Sequence, residues 1–404
     1  MSDYLPLVIL LLGSTIIIAI LARAVCRWLR IPVLVAYTLL GLAMAFIDGN
    51  GNVMTPQIDL VFEFLGGIGI VALLFRIGLE SNITEMLVQL RRAVWVWLGN
   101  VGLSAVLGYL TARYLFGFTL VPSLFAATAL TATSLGVCLA PWRDAKVLDT
   151  PAGGLLSDVA GLDDISGITI MIMLFSVAPV LIVGNDDLIG ALVQTGSIFL
   201  IKVTFFVSFC VLFSRYLERP ITAFFASIEP APDPLLIVIG TTFVIAALAG
   251  WLGFSLAVGA LFAGLMFSRD PQAVKVDASF SSIYDLFTPF FFINIGLSLD
   301  PAILGSGLWI GAVLLVVAIA GKVIGAALPA RQIMGWNAAL LIGVSLVPRA
   351  EIAMVVISEG RLLGDWAVPP ELFSGMVVAV IATSVLAPLV VGRMLAANPP
   401  TSRL

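Results

Sequence analysis

Apolar runs long enough to cross a bilayer follow one another along almost the whole chain, and lipid leaves such runs few ways to satisfy their backbone. Thirteen of them lie at roughly 5–26, 32–48, 58–80, 93–116, 119–140, 153–183, 188–214, 235–251, 253–268, 280–299, 303–330, 335–360 and 371–395. A helical crossing needs about 20 mostly apolar residues. Inside the hydrocarbon each N–H and C=O must bond within its own segment, which a helix does and an isolated strand cannot. The spacing therefore predicts an all-α polytopic membrane protein of about thirteen transmembrane helices. Charged residues make up only 11% of the chain and hydrophobic ones 61%, against about 25% charged in ordinary soluble domains. The first run reads as a span and not as a cleaved leader, because Asp3 precedes it and its arginines follow it.

Basic residues set the orientation. With the N-terminus outside and the C-terminus in the cytoplasm, the inner connections hold 14 of the 20 lysines and arginines, and the outer ones hold only Arg113 and Arg361. That asymmetry is the one cytoplasmic loops show, and it requires an odd number of spans. A proline-bearing connector at 215–234, with Pro220, Pro230, Pro232 and Pro234, divides the membrane region roughly in half. Such a division suits two inverted repeats. Residues 1–404 read as one membrane unit with no soluble regulatory domain.

Several chemistries are disfavoured at this level. Histidine is absent and the three cysteines, Cys26, Cys138 and Cys210, lack metal-ligand spacing. No glycine loop for phosphate and no nucleophile with its base is present, so neither an enzyme nor a bound cofactor is expected. The net charge of −4 is spread along the chain and forms no basic patch for nucleic acid. Any proton chemistry falls to Asp, Glu or Lys.

Four cations, Arg76, Lys202, Lys322 and Arg349, fall inside apolar segments. So do the adjacent carboxylates of Ser-Asp-Val-Ala-Gly-Leu-Asp-Asp-Ile-Ser-Gly (157–167). Asp163 and Asp164 lie about ten residues beyond the inner end near 153, or about 15 Å along a helix, the middle of a core about 30 Å thick. Intramembrane carboxylates are expensive and mark ion or proton pathways. Neighbours on a helix point about 100° apart, so one aspartate can face a cavity while the other pairs with a neighbouring helix. Lys322 is the natural partner, lying about 14 Å deep when counted back from Arg331. Gly321 and Gly325 beside it form a small-x-x-x-small pair that permits close helix packing. Asp158, nearer the inner face, reads as a funnel residue that draws cations inward. Arg76 and Glu80, four apart, read as an interfacial ion pair. Lys202 carries no assignment.

Two segments read as interrupted helices. Ala-Leu-Thr-Ala-Thr-Ser-Leu-Gly (129–136) clusters Thr131, Thr133, Ser134 and a glycine at depth. Ser-Leu-Val-Pro-Arg-Ala-Glu (345–351) places Pro348, which lacks a backbone donor, in mid-membrane. Irregular backbone at that depth is tolerated only when buried in protein or lining a cavity, and two interrupted helices commonly frame a midplane ion site. Arg349 and Glu351 are read as structural charges that neutralise each other and the helix ends.

These motifs together resemble the Kef/Nap-type bacterial cation/proton antiporters. The resemblance covers nearly the whole chain and rests on Leu-Leu-Phe-Arg-Ile-Gly-Leu-Glu (73–80), Leu-Thr-Ala-Thr-Ser-Leu-Gly (130–136), Leu-Asp-Asp (162–164), Pro-Phe-Phe-Phe-Ile-Asn-Ile-Gly-Leu-Ser-Leu-Asp (289–300), Gly-Lys (321–322) and Pro-Arg-Ala-Glu (348–351). It implies thirteen helices in inverted repeats with two crossed discontinuous helices. It further implies a core ion-translocation domain at 93–183 and 303–395, a dimerisation scaffold at 1–80 and 235–299, a linking helix at 188–214, a homodimer and a bacterial inner-membrane location. By the same resemblance Asp164 binds the cation, Asp163 forms a breakable ion pair with Lys322, and Thr131 and Thr133 line the crossing. The double aspartate resembles the sodium-selective, electrogenic branch. The potassium-efflux branch more often has a neutral residue first, so K⁺/H⁺ exchange or K⁺ efflux is the second expectation. An organic-anion carrier or channel-like sensor on a similar scaffold is a third, favoured by helix N-termini at the breaks and opposed by the carboxylate pair.

Overall fold

The computed structural model describes residues 5–29, 31–51, 55–80, 83–182, 188–217, 220, 224, 234–268 and 273–397. Among them every regular element is a helix: α1 (Leu5–Leu29), α2 (Val33–Gly51), α3 (Pro56–Glu80), α4 (Ile83–Leu110), α5 (Leu120–Thr131), α6 (Leu135–Asp144), α7 (Pro151–Ile182), α8 (Leu188–Leu212), α9 (Pro234–Trp251), α10 (Leu256–Phe267), α11 (Ala273–Leu297), α12 (Leu304–Met334), α13 (Trp336–Ser345), α14 (Glu351–Leu363) and α15 (Pro370–Ala397). Nine helical stretches among the described residues are long and apolar enough to cross a membrane. Four more, Val33–Asp48, Leu235–Trp251, Leu256–Phe267 and Trp336–Ser345, are apolar but shorter. Length thus qualifies fewer full crossings than the thirteen apolar segments, because α13 stops at a break and α9 and α10 are parted by a tight turn at Gly253, with φ of +87°. Arg30, Arg219, Arg269, Arg403 and most of the 215–234 connector lie outside the described residues.

The chain divides into two compact units. The first comprises 1–21, 47–83 and 175–296. In it α3 meets α10 through Gly78 and Gly264, where a Cβ on either would fall on the backbone of the other helix. Phe290, Phe291, Phe292 and Ile293 of α11 are buried, and the Phe290 ring meets Phe62 edge-on at 5.9 Å. Arg76 and Glu80 form the expected i,i+4 pair at 2.8 Å, with the guanidinium 4.6 Å from the Tyr284 ring. Lys202 is exposed on α8.

The second unit comprises 22–46, 84–174 and 297–404. In it α4 crosses α12 closely at Gly99 and Gly325, where again no Cβ fits against the facing backbone. This close approach is the one the Gly321/Gly325 pair predicts, with α4 as the partner. Both interrupted helices belong to this unit. The first leaves helical geometry over 132–134, with Ala132 and Ser134 extended, and resumes as α6. Hydroxyl side chains that compete for backbone hydrogen bonds suit such a break. The second opens over 346–350 between α13 and α14. Pro348 cannot donate there, and its ring disfavours helical backbone at Val347. The two breaks are joined directly, since Ser134 N donates to Pro348 O at 3.0 Å. Beneath them Trp142, Leu156, Ile342 and Leu346 are packed in one buried cluster, and Trp142 Nε1 donates to Ser345 Oγ at 2.8 Å.

Candidate functional site

An α-helix leaves its last carbonyls without intrahelical partners, and α5 ends this way inside the protein. Two buried cations meet that end. Lys322 Nζ donates to Thr131 O at 2.5 Å. Arg349 donates to Leu130 O through Nη2 at 2.8 Å and Nε at 3.3 Å. Arg349 also reaches Val347 O at 2.9 Å and Ala318 O at 3.4 Å, so one guanidinium ties α5, α12 and the second break together. Cations at a helix C-terminus are favoured by the macrodipole as well as by these bonds. The backbone carbonyl of Arg349 accepts from Ser384 Oγ at 2.5 Å.

Asp163 is completely buried and forms the centre of the cluster. Its Oδ2 receives Lys322 Nζ at 2.7 Å, Thr133 Oγ1 at 2.6 Å and Asn100 Nδ2 at 2.5 Å. Both side chains of the Asp163–Lys322 ion pair have zero exposure. Lys322 therefore does not extend to the membrane surface, as a lysine with its long stem otherwise could. The Thr133 hydroxyl also lies 3.2 Å from Leu346 O, across the second break.

The remaining candidates take distinct places around this centre. Asp164 is half-buried beside Asp163, and Asp158 is half-buried about one and a half turns earlier on α7. Thr131 presents its carbonyl to the cluster, while its hydroxyl bonds back to Thr128 O at 2.7 Å. Ser134 Oγ donates to Glu351 Oε2 at 2.9 Å, and Glu351 occupies the first turn of α14, where the macrodipole favours a carboxylate. Arg349 thus meets the end of α5 and Glu351 the start of α14. Asn100, Ser384 and Cys138 were not anticipated. Cys138 is buried within electrostatic reach of Asp163, Asp164 and Lys322. Asn100 had a legible signal: it lies eight residues past Arg92, about 12 Å deep, nearly level with Lys322.

Chemically, the arrangement is a charged pair sealed from water next to a second, more accessible carboxylate, set at two helix breaks that expose backbone carbonyls. Breaking a buried pair leaves an uncompensated charge. A proton or cation that relieves that charge can therefore drive a structural change.

Comparison with known proteins follows the same lines. A family model described as "Sodium/hydrogen exchanger, transmembrane" matches residues 16–397. The chain is 29% identical over 370 residues to the High-affinity Na(+)/H(+) antiporter NhaS3 of Synechocystis sp., covering 88% of this chain and 76% of that one. It is 24% identical over 388 residues to the K(+)/H(+) antiporter subunit KhtU of Bacillus subtilis, covering 94% and 91%. The structure of the sodium proton antiporter MjNhaP1 from Methanocaldococcus jannaschii has the same fold, with a TM-score of 0.62 at 16% identity and 97% coverage of both chains.

Proposed function

Because the chain belongs to the sodium/hydrogen exchanger family, we propose that it exchanges Na⁺ for H⁺ across the membrane by alternating access, with Asp163 and Asp164 as the groups that carry proton and cation. The observation that supports this site best is the sealed Asp163–Lys322 pair at 2.7 Å beside a half-buried Asp164. The more accessible Asp164 takes the cation, and Asp163 is the carboxylate that Lys322 holds and releases. Thr131, Thr133 and Ser134 line the crossing, and Asp158 draws cations into the inward funnel.

Competition drives the cycle. Cation binding to carboxylates requires their deprotonated form and releases protons. A loaded or protonated site is neutralised and can cross, whereas an empty, ionised one carries an unpaired charge into a low-dielectric interior. If two protons leave for each Na⁺ bound, one net charge moves per cycle and transport is electrogenic. The second unit, which holds the whole charge cluster, acts as the moving core, and the first acts as the scaffold through which a homodimer forms in a bacterial inner membrane, with the N-terminus outside. Similarity to KhtU, named a K⁺/H⁺ antiporter subunit, supports K⁺ as the second candidate cargo. Dequenching of an internal pH dye in proteoliposomes after Na⁺ or K⁺ addition separates the two. A response to Na⁺ that is lost in Asp164→Asn supports the assignment, and an undiminished response in that variant refutes it.

A further inference from the structure

Three buried oxygens near the ion pair have no hydrogen-bond partner among the described residues: Asp163 Oδ1, Asn100 Oδ1 and Ser104 Oγ. Asn100 and Ser104 lie one turn apart on α4, and both are at most 1% exposed. The crossing of α4 over α12 sets this seam against Gly321, next to Lys322 in the chain, for a Cβ added at Gly321 would lie 3.1 Å from Ser104 Oγ. Buried acceptors left unpaired are costly, and two on neighbouring groups require an explanation.

Asn100 Nδ2 donates to Asp163 Oδ2 at 2.5 Å, so the amide and the carboxylate are already joined at one corner. The unpaired oxygens are the other corner of each group. Two acceptors cannot satisfy each other, but a single proton placed on one of them satisfies both. A carboxylic acid and a primary amide are complementary in this way: the amide N–H serves the acid's carbonyl oxygen and the acid's O–H serves the amide oxygen.

We propose that Asn100 is the positioning residue that seats the transported proton, with the protonated Asp163 carrying its hydrogen on Oδ1 and donating it to Asn100 Oδ1. This rests on the reading of Asp163 as a proton carrier and deepens it by naming the proton's acceptor. The proton arrives from water on one side, forms the O–H bond at Oδ1, and returns to water on the other side when that bond breaks. Lys322 keeps its bond to Thr131 O. The other groups facing Asp163 are Thr133 from the first break, Lys322 from α12, Arg349 from the second break, Cys138 from α6, and Asp164 next to it on α7. The Thr133 hydroxyl already donates to Oδ2, so it leaves Oδ1 unserved. Asn100 differs because it is neutral, its N–H side already meets Oδ2, and its own oxygen is left without a partner. It donates to the carboxylate and accepts from the acid without a change of charge.

Infrared difference spectroscopy on the full chain in lipid vesicles tests this, with asparagine labelled with ¹³C at the side-chain carbonyl and pH lowered in the absence of Na⁺. The Asp163 acid carbonyl is identified as the band missing from Asp163→Asn. Over the pH range in which that band rises, the labelled amide carbonyl is expected to move to lower wavenumber, and this labelled signal is expected to vanish in Asn100→Gln, which keeps the chemistry but not the label. An acid band that rises without an amide shift, or an amide shift that survives Asn100→Gln, overturns the proposal while leaving the proton on Asp163. A protein that exchanges normally yet shows no band lost in Asp163→Asn overturns the underlying reading as well. Asn100→Leu supplies a second measurement: the Asp163 band is expected at higher wavenumber than in wild type, and an unmoved band contradicts the account.

Discussion

Lys322 and Arg349 cap adjacent carbonyls of the same helix end, Thr131 O at 2.5 Å and Leu130 O at 2.8 Å. The consequence is mechanical. When Asp163 is neutralised, Lys322 loses a carboxylate but keeps a backbone acceptor, so its ammonium is never left bare. Arg349 makes four hydrogen bonds to three carbonyls and none to Asp163, so its hold on α5 does not depend on the Asp163–Lys322 hydrogen bond.

The ion pair should therefore couple strongly in a double-mutant cycle. Removing one member of a buried pair costs about 3–5 kcal/mol, because the other charge is left uncompensated. Lys322→Gln is expected to lower the thermal midpoint in detergent at alkaline pH, and Lys322→Gln with Asp163→Asn to recover much of the loss. Strictly additive effects would show that the two residues do not depend on each other.

Arg349 should tolerate no substitute. Its planar fork serves several carbonyls at once, and a lysine cannot match that geometry. Each buried carbonyl left unpaired costs about 1–3 kcal/mol. Arg349→Lys and Arg349→Ala are both expected to reduce the folded yield by size-exclusion chromatography, whereas a well-folded Arg349→Ala with normal exchange would assign the residue no structural weight.

Helix packing gives a matched comparison. Gly99→Val forces a side chain into the α12 backbone, while Gly102 on the same helix has open space where its Cβ would lie. Gly99→Val is expected to lose folded protein in a thermal-stability assay, and Gly102→Ala to hold or gain up to about 1 kcal/mol from helix propensity. Equal behaviour of the two would contradict the close α4–α12 crossing.

Proton and cation should compete at a shared site. Lower pH fills the carboxylates with protons, so the Na⁺ concentration for half-maximal exchange is expected to rise as pH falls, by about tenfold per pH unit for each competing proton in the limit where the site is mostly protonated. Initial rates in proteoliposomes at a series of pH values give that slope. A half-saturation concentration independent of pH would mean that protons and Na⁺ bind to different groups.

Much of this was legible from residue order because the bilayer turns depth into a coordinate. Counting residues from the inner face brings Lys322 level with Asp163 and Asp164, and a proline or clustered hydroxyls mark the helix breaks, whereas the choice of Asp163 as the lysine's partner comes from the family resemblance. Rotamers were not legible. Thr131 was expected to line the crossing, but whether it would use hydroxyl or carbonyl depends on how its side chain turns, and the hydroxyl bonds back to Thr128. Asn100 escaped notice because one amide barely alters the hydropathy of an apolar segment, although its depth was as readable as that of Lys322. The grouping of residues 22–46 with the second unit depends on packing partners, which an apolar stretch does not encode.

The central claim is that two adjacent aspartates let Na⁺ and H⁺ displace one another. Na⁺-driven proton efflux from proteoliposomes, recorded with the membrane potential free and then clamped, tests it most directly. Wild type is expected to exchange, and to run faster when the clamp removes the opposing potential; Asp164→Asn is expected to show no Na⁺-driven flux under either condition. Full exchange by Asp164→Asn would contradict the account.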